Sequence, residues 1–475
     1  MKYQLQTYSK KLLADTLTPV SVYLRIRDKF PNSLLLESSD YHSNDNSFSY
    51  ICCNPIASIT IENELITQQF PDGKKQISEV LKINPKDTSS NPKSNVTSVL
   101  ENFAKSFSTG KNDFKFINNG LFGYIAYDAV RYFEDVEISK SKSRLEIPDV
   151  YYAVYQNIIA INHFNNEAYI FAHCFNSENN IPQIESLLKS KSFAEYPFQR
   201  SGTPTTNLDD QGFKDLVKKC KKHCERGDVF QIVPSKRFFQ NFTGDEFNVY
   251  RSLRSINPSP YLFYFDYGKF KIFGSSPEAQ LVVKGNCAEI HPIAGTFKRT
   301  GNDLDDAKLA KELAANEKEN SEHVMLVDLA RNDLSRHGTK VEVATYRDVQ
   351  FFSHVIHLVS KVTAIKKQHT STMQIVGDTF PAGTLSGAPK HKALQLLEKY
   401  ENINREFYGG AIGFMDFDGD FNHAIIIRSF VSKNHCLHYQ AGAGVVSGSD
   451  PEKELQEVYN KLGALTKALE LAENI

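Results

Sequence analysis

Tryptophan is missing altogether from the 475 residues, and methionine is scarce at 4. With Lys, Asn, Ile and Phe plentiful, this is the composition of an AT-rich coding sequence. Net charge is nearly absent too: 55 basic side chains against 56 acidic ones leave −1. No global field therefore draws the chain to nucleic acid or to an anionic membrane. A dense basic cluster, Lys218-Lys219-Cys220-Lys221-Lys222, reads as a solvated helix face. Long apolar runs are lacking, and nothing approaches the ~20 residues of a membrane span. Met1–Gln6 has no signal-peptide core. The 7 cysteines are odd in number and scattered, which argues against a disulfide framework. The expectation is a cytoplasmic protein with neither nucleic-acid nor membrane partners.

What is present is a globular composition, 41% hydrophobic and 23% charged, at a length beyond one ordinary domain. Over residues 1–190, short apolar runs alternate with turn signals. Ser33–Ser38, Ser58–Ile61 and Ala168–Ala172 read as strands. Tyr41–Ser49 and Asn84–Ser98 are polar and predict loops, and Lys191–Asp210 predicts a linker. The pattern changes over 205–475. Phe213–Glu225 predicts a basic amphipathic helix, closed by Arg226-Gly227-Asp228, and Val229–Val233 predicts a strand. Leu304–Leu329 predicts one long helix. Asp450-Pro451-Glu452 has the order of a helix start: an N-cap carboxylate, Pro at the first helical position, then acid in the first turn. Strands and helices do not alternate strictly, so the expected class is α+β with antiparallel sheets.

Two carboxylate pairs stand out. Glu319 and Glu322 share a helix face, as do Glu454, Glu457 and Lys461 at i, i+3 and i+7. Two such faces could converge on one Mg²⁺, which uses one or two carboxylates plus water and substrate oxygens. By spacing alone, solvated helix faces are the stronger explanation, because Glu at i, i+3 is common on them. Phe380–Lys390 and Gln440–Val445 are rich in small residues, so their backbone N–H groups could approach an anion closely. Neither fits a phosphate-loop or dinucleotide pattern, and alone each reads as a tight turn.

In order along 205–475 come Ser276-Pro277-Glu278, His291-Pro292-Ile293-Ala294-Gly295-Thr296-Phe297, Glu322–Asp333, Gly383–Lys390, Tyr408–Gly413, Ile427-Arg428-Ser429 and Ala441–Gly444. This series resembles the chorismate-binding enzyme family and, within it, the anthranilate synthase component I branch. The resemblance implies a two-region fold of orthogonal antiparallel β-sheets flanked by helices. Residues 1–190 would carry a feedback-inhibitor motif and 205–475 the chorismate-binding catalytic region.

It also implies roles. Glu322 and Glu457 would hold Mg²⁺, with Glu319 and Glu454 in support. Arg428 and Lys461 would bind carboxylate oxygens, and only Arg can do so with a planar fork. Backbone N–H groups at Gly442 and Gly444 would receive the enolpyruvyl carboxylate, and Gly295, Thr296, Thr384 and Tyr408 would line the pocket. Glu278 would be the general acid, a role that needs a raised pKa. His357 would serve the later elimination, whereas His354 reads as structural or exposed. Two positions discriminate among branches. Isochorismate and salicylate synthases place a basic Lys where this chain has Gln231, and Gln cannot activate water. Aminodeoxychorismate synthases of the usual kind carry a nucleophilic Lys where this chain has Ala294.

The implied reaction converts chorismate and ammonia to anthranilate and pyruvate. No cysteine sits in a Gly-x-Cys-x-Gly elbow, so ammonia would come from a separate glutamine amidotransferase subunit, component II. Leu34–Ser38 resembles the family's tryptophan feedback motif. Glu37, Ser38, Pro260, Tyr261 and Leu262 would form the inhibitor site, with Ile412, Gly413 and Phe414 nearby. The alternatives are a folate-pathway aminodeoxychorismate synthase component I and a non-catalytic tryptophan-sensing relative.

Overall fold

The structure is a computed structural model and describes residues 2–38, 47–81, 94–139, 141–142, 145–351 and 355–475. His354 and the greater part of the loops expected at Tyr41–Ser49 and Asn84–Ser98 lie outside these residues.

Two long antiparallel strands, Phe48–Glu62 and Val150–Asn162, organise the fold. Their ladder is interrupted between Pro55 and Ala57, beside Asn54 at φ 61°. An irregularity of this kind bends a strand and increases its local twist. Each long strand therefore serves two sheets. In the first, Phe48–Cys53 leads through Leu34–Glu37 to Tyr261–Asp266, then to Lys271–Ser276, Ser429–Lys433, Cys436–Gly442 and Ser235–Gly244. In the second, Val150–Val154 leads through Leu121–Ile125 to Ala411–Met415, Phe421–Ile425, Ala279–Lys284, Cys287–Ile290 and Val355–Lys366. Strands from 1–190 thus pair directly with strands from 205–475 in both sheets. Among the described strands, one pairing is parallel, Tyr3–Leu5 with Phe107–Thr109.

Alternation of side chains along each strand sorts the cores. Phe263, Phe265, Ile272 and Val431 from the first sheet meet Phe122, Tyr124, Ile412 and Ile425 from the second in one buried cluster. The neighbours Leu262 and Tyr264 point the other way. They pack with the helices Pro19–Ile26, Asp210–Glu225, Phe247–Ile256 and Pro451–Ala472. A third cluster joins the second sheet to Val96–Lys105, Glu317–Ser335 and Thr372–Thr379. The layers are helix, sheet, sheet and helix, each buried on its apolar face.

The expected strands at Ser33–Ser38, Ser58–Ile61 and Ala168–Ala172 all form. The helix after Asp450 runs over Pro451–Ala472, with the Asp450 carboxylate accepting from the Glu452 and Lys453 N–H groups. Other expectations need correction. The predicted linker 191–210 contains the strand Phe198–Thr206, paired with Ser235–Gly244. It is an edge strand in which Phe198 alone is buried, so its sequence carries no apolar alternation. The predicted helix 304–329 is two helices, Asp303–Ala315 and Glu317–Ser335. Asn316 ends the first and caps the second by accepting the Glu319 N–H, and this local bond outweighs helix propensity. Val229–Val233 pairs as a strand only at Gln231–Ile232. Val96–Ser98, expected in a loop, begins a helix, and Phe48-Ser49 begin a strand.

All seven cysteines are free, and no described helix is long and apolar enough to cross a membrane.

Candidate active site

The His291–Phe297 stretch becomes the strand Ile293–Lys298, paired with Val355–Lys366. Register shifts between Ala294 and Thr296, so Gly295 bulges at φ 70°. That left-handed conformation suits glycine. Space demands it as well, because a Cβ there would lie 2.8 Å from Leu313 Cδ1 and 3.2 Å from Glu319 Oε2. The bulge turns the Gly295 carbonyl to His357, whose Nδ1 lies 2.8 Å away. Nδ1–H donation to that carbonyl leaves the lone pair of the neutral ring on Nε2. Burial holds the His357 pKa down, opposed by the Gly295 bond and assisted by the Arg428 charge. Thr296 has its backbone in this strand, opposite His357.

Glu278 follows the central strand Lys271–Ser276, with its carbonyl held by the Ile425 N–H at 3.0 Å. Its carboxylate accepts from Thr384 Oγ1 at 3.1 Å. Burial pushes the Glu278 carboxyl up to about 7 against the restraint of the Thr384 bond and the Lys461 charge. The cleft on this side is walled by Thr384, Gln280, Asp333, Leu326 and Leu329.

Arg428 sits at φ 51° just before the strand Ser429–Lys433. Its guanidinium forms no hydrogen bond or close ion pair with a described residue, and burial lowers its pKa, partly offset by Tyr408 and Glu457. On the helix Pro451–Ala472, Lys461 Nζ lies 2.6 Å from Glu457 Oε1 and donates to the Gly442 carbonyl at 2.9 Å. A Cβ on Gly442 would meet the Tyr408 hydroxyl at 3.1 Å, and one on Gly444 would meet Gln231 Nε2 at 2.6 Å. Gln231 is buried, its backbone paired with Ala388 at the end of the small-residue loop.

The expected residues are thus linked by contacts and fields. Glu319 packs on Gly295, Gly295 holds His357, and Arg428 acts on His357. Glu457 and Tyr408 act on Arg428, and Lys461 joins Glu457, Gly442 and Glu278. The four glutamates come from two separate helices, Glu454 buried and Glu322 half-buried. Among the described residues, no three His, Cys, Asp or Glu side chains are grouped to hold a metal. The expected pairs Glu319–Glu322 and Glu454–Glu457 stand on these two helices, and Glu457 is paired with Lys461. As a donor set, hard oxygens from Glu322 and Glu457 still fit Mg²⁺, which needs few protein ligands.

The expected inhibitor residues lie across three strands. Glu37 faces Leu262 in the ladder, and its carboxylate accepts from Tyr250 Oη at 2.6 Å and Arg254 Nε at 2.8 Å. Ser38 follows directly and, with Pro260 and Tyr261, is half-buried. Ile412 and Gly413 are buried in the second sheet. Phe414 reaches the group through Tyr50, 6.0 Å between ring centroids, and Tyr50 pairs with Leu36.

Sequence reasoning missed the frame. Arg405 is buried and donates to the carbonyls of Leu385 and Val233 at 2.6 and 2.5 Å, while Glu401 accepts from its Nε and Nη2. This pair fixes the small-residue loop against the segment after Gln231. Lys390 bonds Asp333 at 2.6 Å within the same wall. An i, i+4 Glu–Arg spacing at 401 and 405 was the available signal, but burial is what makes it structural.

Residues 39–467 match the family profile described as chorismate binding enzyme. Anthranilate synthase component 1 of Aquifex aeolicus is 34% identical over 98% of this chain and 94% of its own length. That of Lactococcus lactis subsp. lactis is 36% identical, over 96% of this chain and 98% of its own. The crystal structure of anthranilate synthase component I from Streptococcus pneumoniae superposes with a TM-score of 0.75 at 29% identity, covering 96% of this chain and 98% of that one. MenF, the menaquinone-specific isochorismate synthase of Escherichia coli, shares the fold with a TM-score of 0.72 at 16% identity, covering 98% and 95%. In sequence along nearly its whole length, and in fold, the chain belongs to the chorismate-binding enzymes, in the branch of anthranilate synthase component I.

Proposed function

We propose that the chain converts chorismate and ammonia to anthranilate and pyruvate in the cytoplasm, with residues 205–475 as the catalytic region. The observation that carries this reading is one set of mutually coupled groups. It contains a carboxyl kept protonated to about 7, a neutral imidazole and a guanidinium with no hydrogen bond or close ion pair to a described residue. Arg428 and Lys461 take the carboxylates of chorismate, and the backbone at Gly442 and Gly444 receives the enolpyruvyl one. Tyr408, Thr384, Gly295 and Thr296 shape the pocket. Ammonia forms a C–N bond to the ring while the ring C–O bond to the departing hydroxyl breaks. Glu278 supplies the proton, so the hydroxyl leaves as water. His357, with Nδ1 held by the Gly295 carbonyl, would accept the ring proton at Nε2 in the second step. Loss of that proton and cleavage of the enolpyruvyl C–O bond release pyruvate and aromatise the ring. Gln231 offers no base to activate water, and Ala294 no amine to attack the ring. Glu322 and Glu457, supported by Glu319 and Glu454, would hold Mg²⁺, which supplies Lewis-acid polarisation and orientation of a substrate carboxylate.

Purified chain with chorismate, Mg²⁺ and ammonium is expected to yield anthranilate and pyruvate, resolved by chromatography and fluorescence. Chelation or Glu322→Gln is expected to lower turnover by at least a hundredfold. Aminodeoxychorismate as the product would move the chain to the folate branch, and no turnover would favour a non-catalytic relative. A glutamine amidotransferase subunit would supply ammonia in place of the salt.

Tryptophan is proposed to inhibit at Glu37, Ser38, Pro260, Tyr261 and Leu262, bordered by Ile412, Gly413 and Phe414. The strand Tyr261–Asp266 offers a physical route for coupling. One edge pairs with Glu37, and the other pairs Tyr261 with Ser276, two residues before Glu278. Ser38→Phe is expected to raise the tryptophan concentration for half-inhibition at least tenfold. An unchanged inhibition curve would place the inhibitor elsewhere.

A further inference from the structure

The second sheet continues past Ser58–Glu62 into the strand Leu65–Gln69 and ends at the strand Lys75–Glu79. Among the described residues, no strand pairs with the outer edge of Lys75–Glu79, and every residue in it is exposed. The Val80 N–H donates to the Glu64 carbonyl at 2.8 Å, and the Phe70 N–H to the Lys74 carbonyl at 2.9 Å. These two bonds fix the phase of the ladder, because antiparallel pairs alternate between exchanging both bonds and exchanging none. Gln76 and Ser78 therefore turn their backbone groups inward, to Gln68 and Ile66. Lys75, Ile77 and Glu79 turn theirs outward, to no described partner. An open edge of this kind is a template for another strand.

The side chains of the same three residues share one face, since alternate residues of a strand do. Ile77 is 60% exposed, and Leu65, its diagonal neighbour across the ladder, is 46% exposed. Lys74 is committed to Asp72 at 2.7 Å, whereas Lys75 and Glu79 form no ion pair with a described residue. The strand thus carries a cation at one end, an anion at the other and isoleucine midway. Reversed, that order is complementary to itself.

We propose that Lys75–Glu79 pairs antiparallel with the same strand of a second copy of this chain, about a two-fold axis at Ile77. In that register Ile77 faces Ile77, and each Lys75 faces Glu79 of the other copy. Each of these pairs exchanges both backbone bonds, since the groups already point outward. Leu65 and Ile77 of the two copies form one apolar strip across the axis, with an ion pair on either side. Apolar and opposite-charge pairs across strands both stabilise, and like charges directly opposite do the reverse. Sliding the register by two residues sets a charge against Ile77. Sliding it by four sets Lys75 against itself or Glu79 against itself. The two-fold pairing closes on itself and stops at a dimer. A foreign strand would match this charge order only by coincidence, whereas a second copy carries it necessarily.

The test is sedimentation velocity of the full chain over a wide concentration range. A contact this short predicts a reversible dimer whose fraction rises with concentration. Lys75→Glu and Glu79→Lys are each expected to raise the dimer dissociation constant at least tenfold, and the two together to restore it. An equimolar mixture of the single variants should dimerise where neither does alone. Ile77→Pro removes an outward N–H that the chain's own ladder does not use, so it should weaken the dimer at least tenfold in a chain that still folds by circular dichroism. A chain that stays monomeric at every concentration overturns the proposal. A dimer indifferent to both single charge reversals also overturns it, and would place the contact on another face.

Discussion

Glu278→Gln is expected to abolish most anthranilate formation while leaving the protein more stable at pH 8. For the activity, a general acid in this position contributes roughly 10²–10⁴ in rate. Gln is nearly isosteric but has no proton to give to a departing hydroxyl. kcat should therefore fall by about that factor, while KM for chorismate changes little. In the parent enzyme, activity limited by this proton should decline as pH rises through about 7, where Glu278 ionises. For stability, the sign follows from the folded carboxyl holding its proton more tightly than the unfolded one. Below the ordinary value of 4.5 both states are protonated and the group contributes nothing. Between 4.5 and about 7 the folded state is progressively penalised, and above 7 the penalty is constant. A shift of this size corresponds to about 3 kcal/mol at most. Removing the ionisable group should thus raise the unfolding temperature at pH 8 and leave it nearly unchanged at pH 4. Loss of activity without gain of stability would mean that the carboxyl is not buried as described.

The second large effect is expected at Arg428. A partly desolvated guanidinium with no hydrogen bond or close ion pair to a described residue is costly unless a ligand completes it. A bidentate bond to a carboxylate contributes on the order of 3 kcal/mol, since each charge-assisted bond is worth about 1.5–3 kcal/mol. Arg428→Ala is therefore expected to lower kcat/KM by about 10²–10³. Arg428→Lys should recover only part, because an ammonium lacks the planar fork. Backbone geometry adds a separate check. Position 428 has φ 51°, a region glycine enters at little cost and other residues enter at roughly 1 kcal/mol or more. Arg428→Gly should fold at least as stably as the parent, yet lose the thermal stabilisation that chorismate confers. Retained stabilisation in that variant would show that Arg428 does not hold the substrate.

Both predictions depend on burial, and burial is where sequence and structure part. Composition, the two helix-face carboxylate pairs, the Asp450 cap and the ordered motifs from Glu278 to Lys461 named the family and nearly every side chain proposed to act. These are local facts. A cap is decided by its neighbours within one turn, and face-sharing by a period of 3.6 residues. The sequence also named Gly295, but not why it must be glycine. Only the register shift against His357 and the approach of Glu319 supply that reason. Likewise, nothing local marks 198–206 as a strand, because an edge strand exposed on nearly every residue has no apolar pattern.

The sequence by itself determined which chemical groups the protein carries, in what order, and which lysines it lacks. Tertiary structure alone decided what those groups are worth. Glu278 is an ordinary carboxylate until the sheets close over it and raise it to about 7. Arg428 is an ordinary cation until its site desolvates it and sets it beside Tyr408 and Glu457. Glu401 and Arg405 are a helix-spaced pair until burial makes them the clamp between two loops. The physical reason is that desolvation and field depend on everything within a few ångströms, and residues distant in sequence supply nearly all of it.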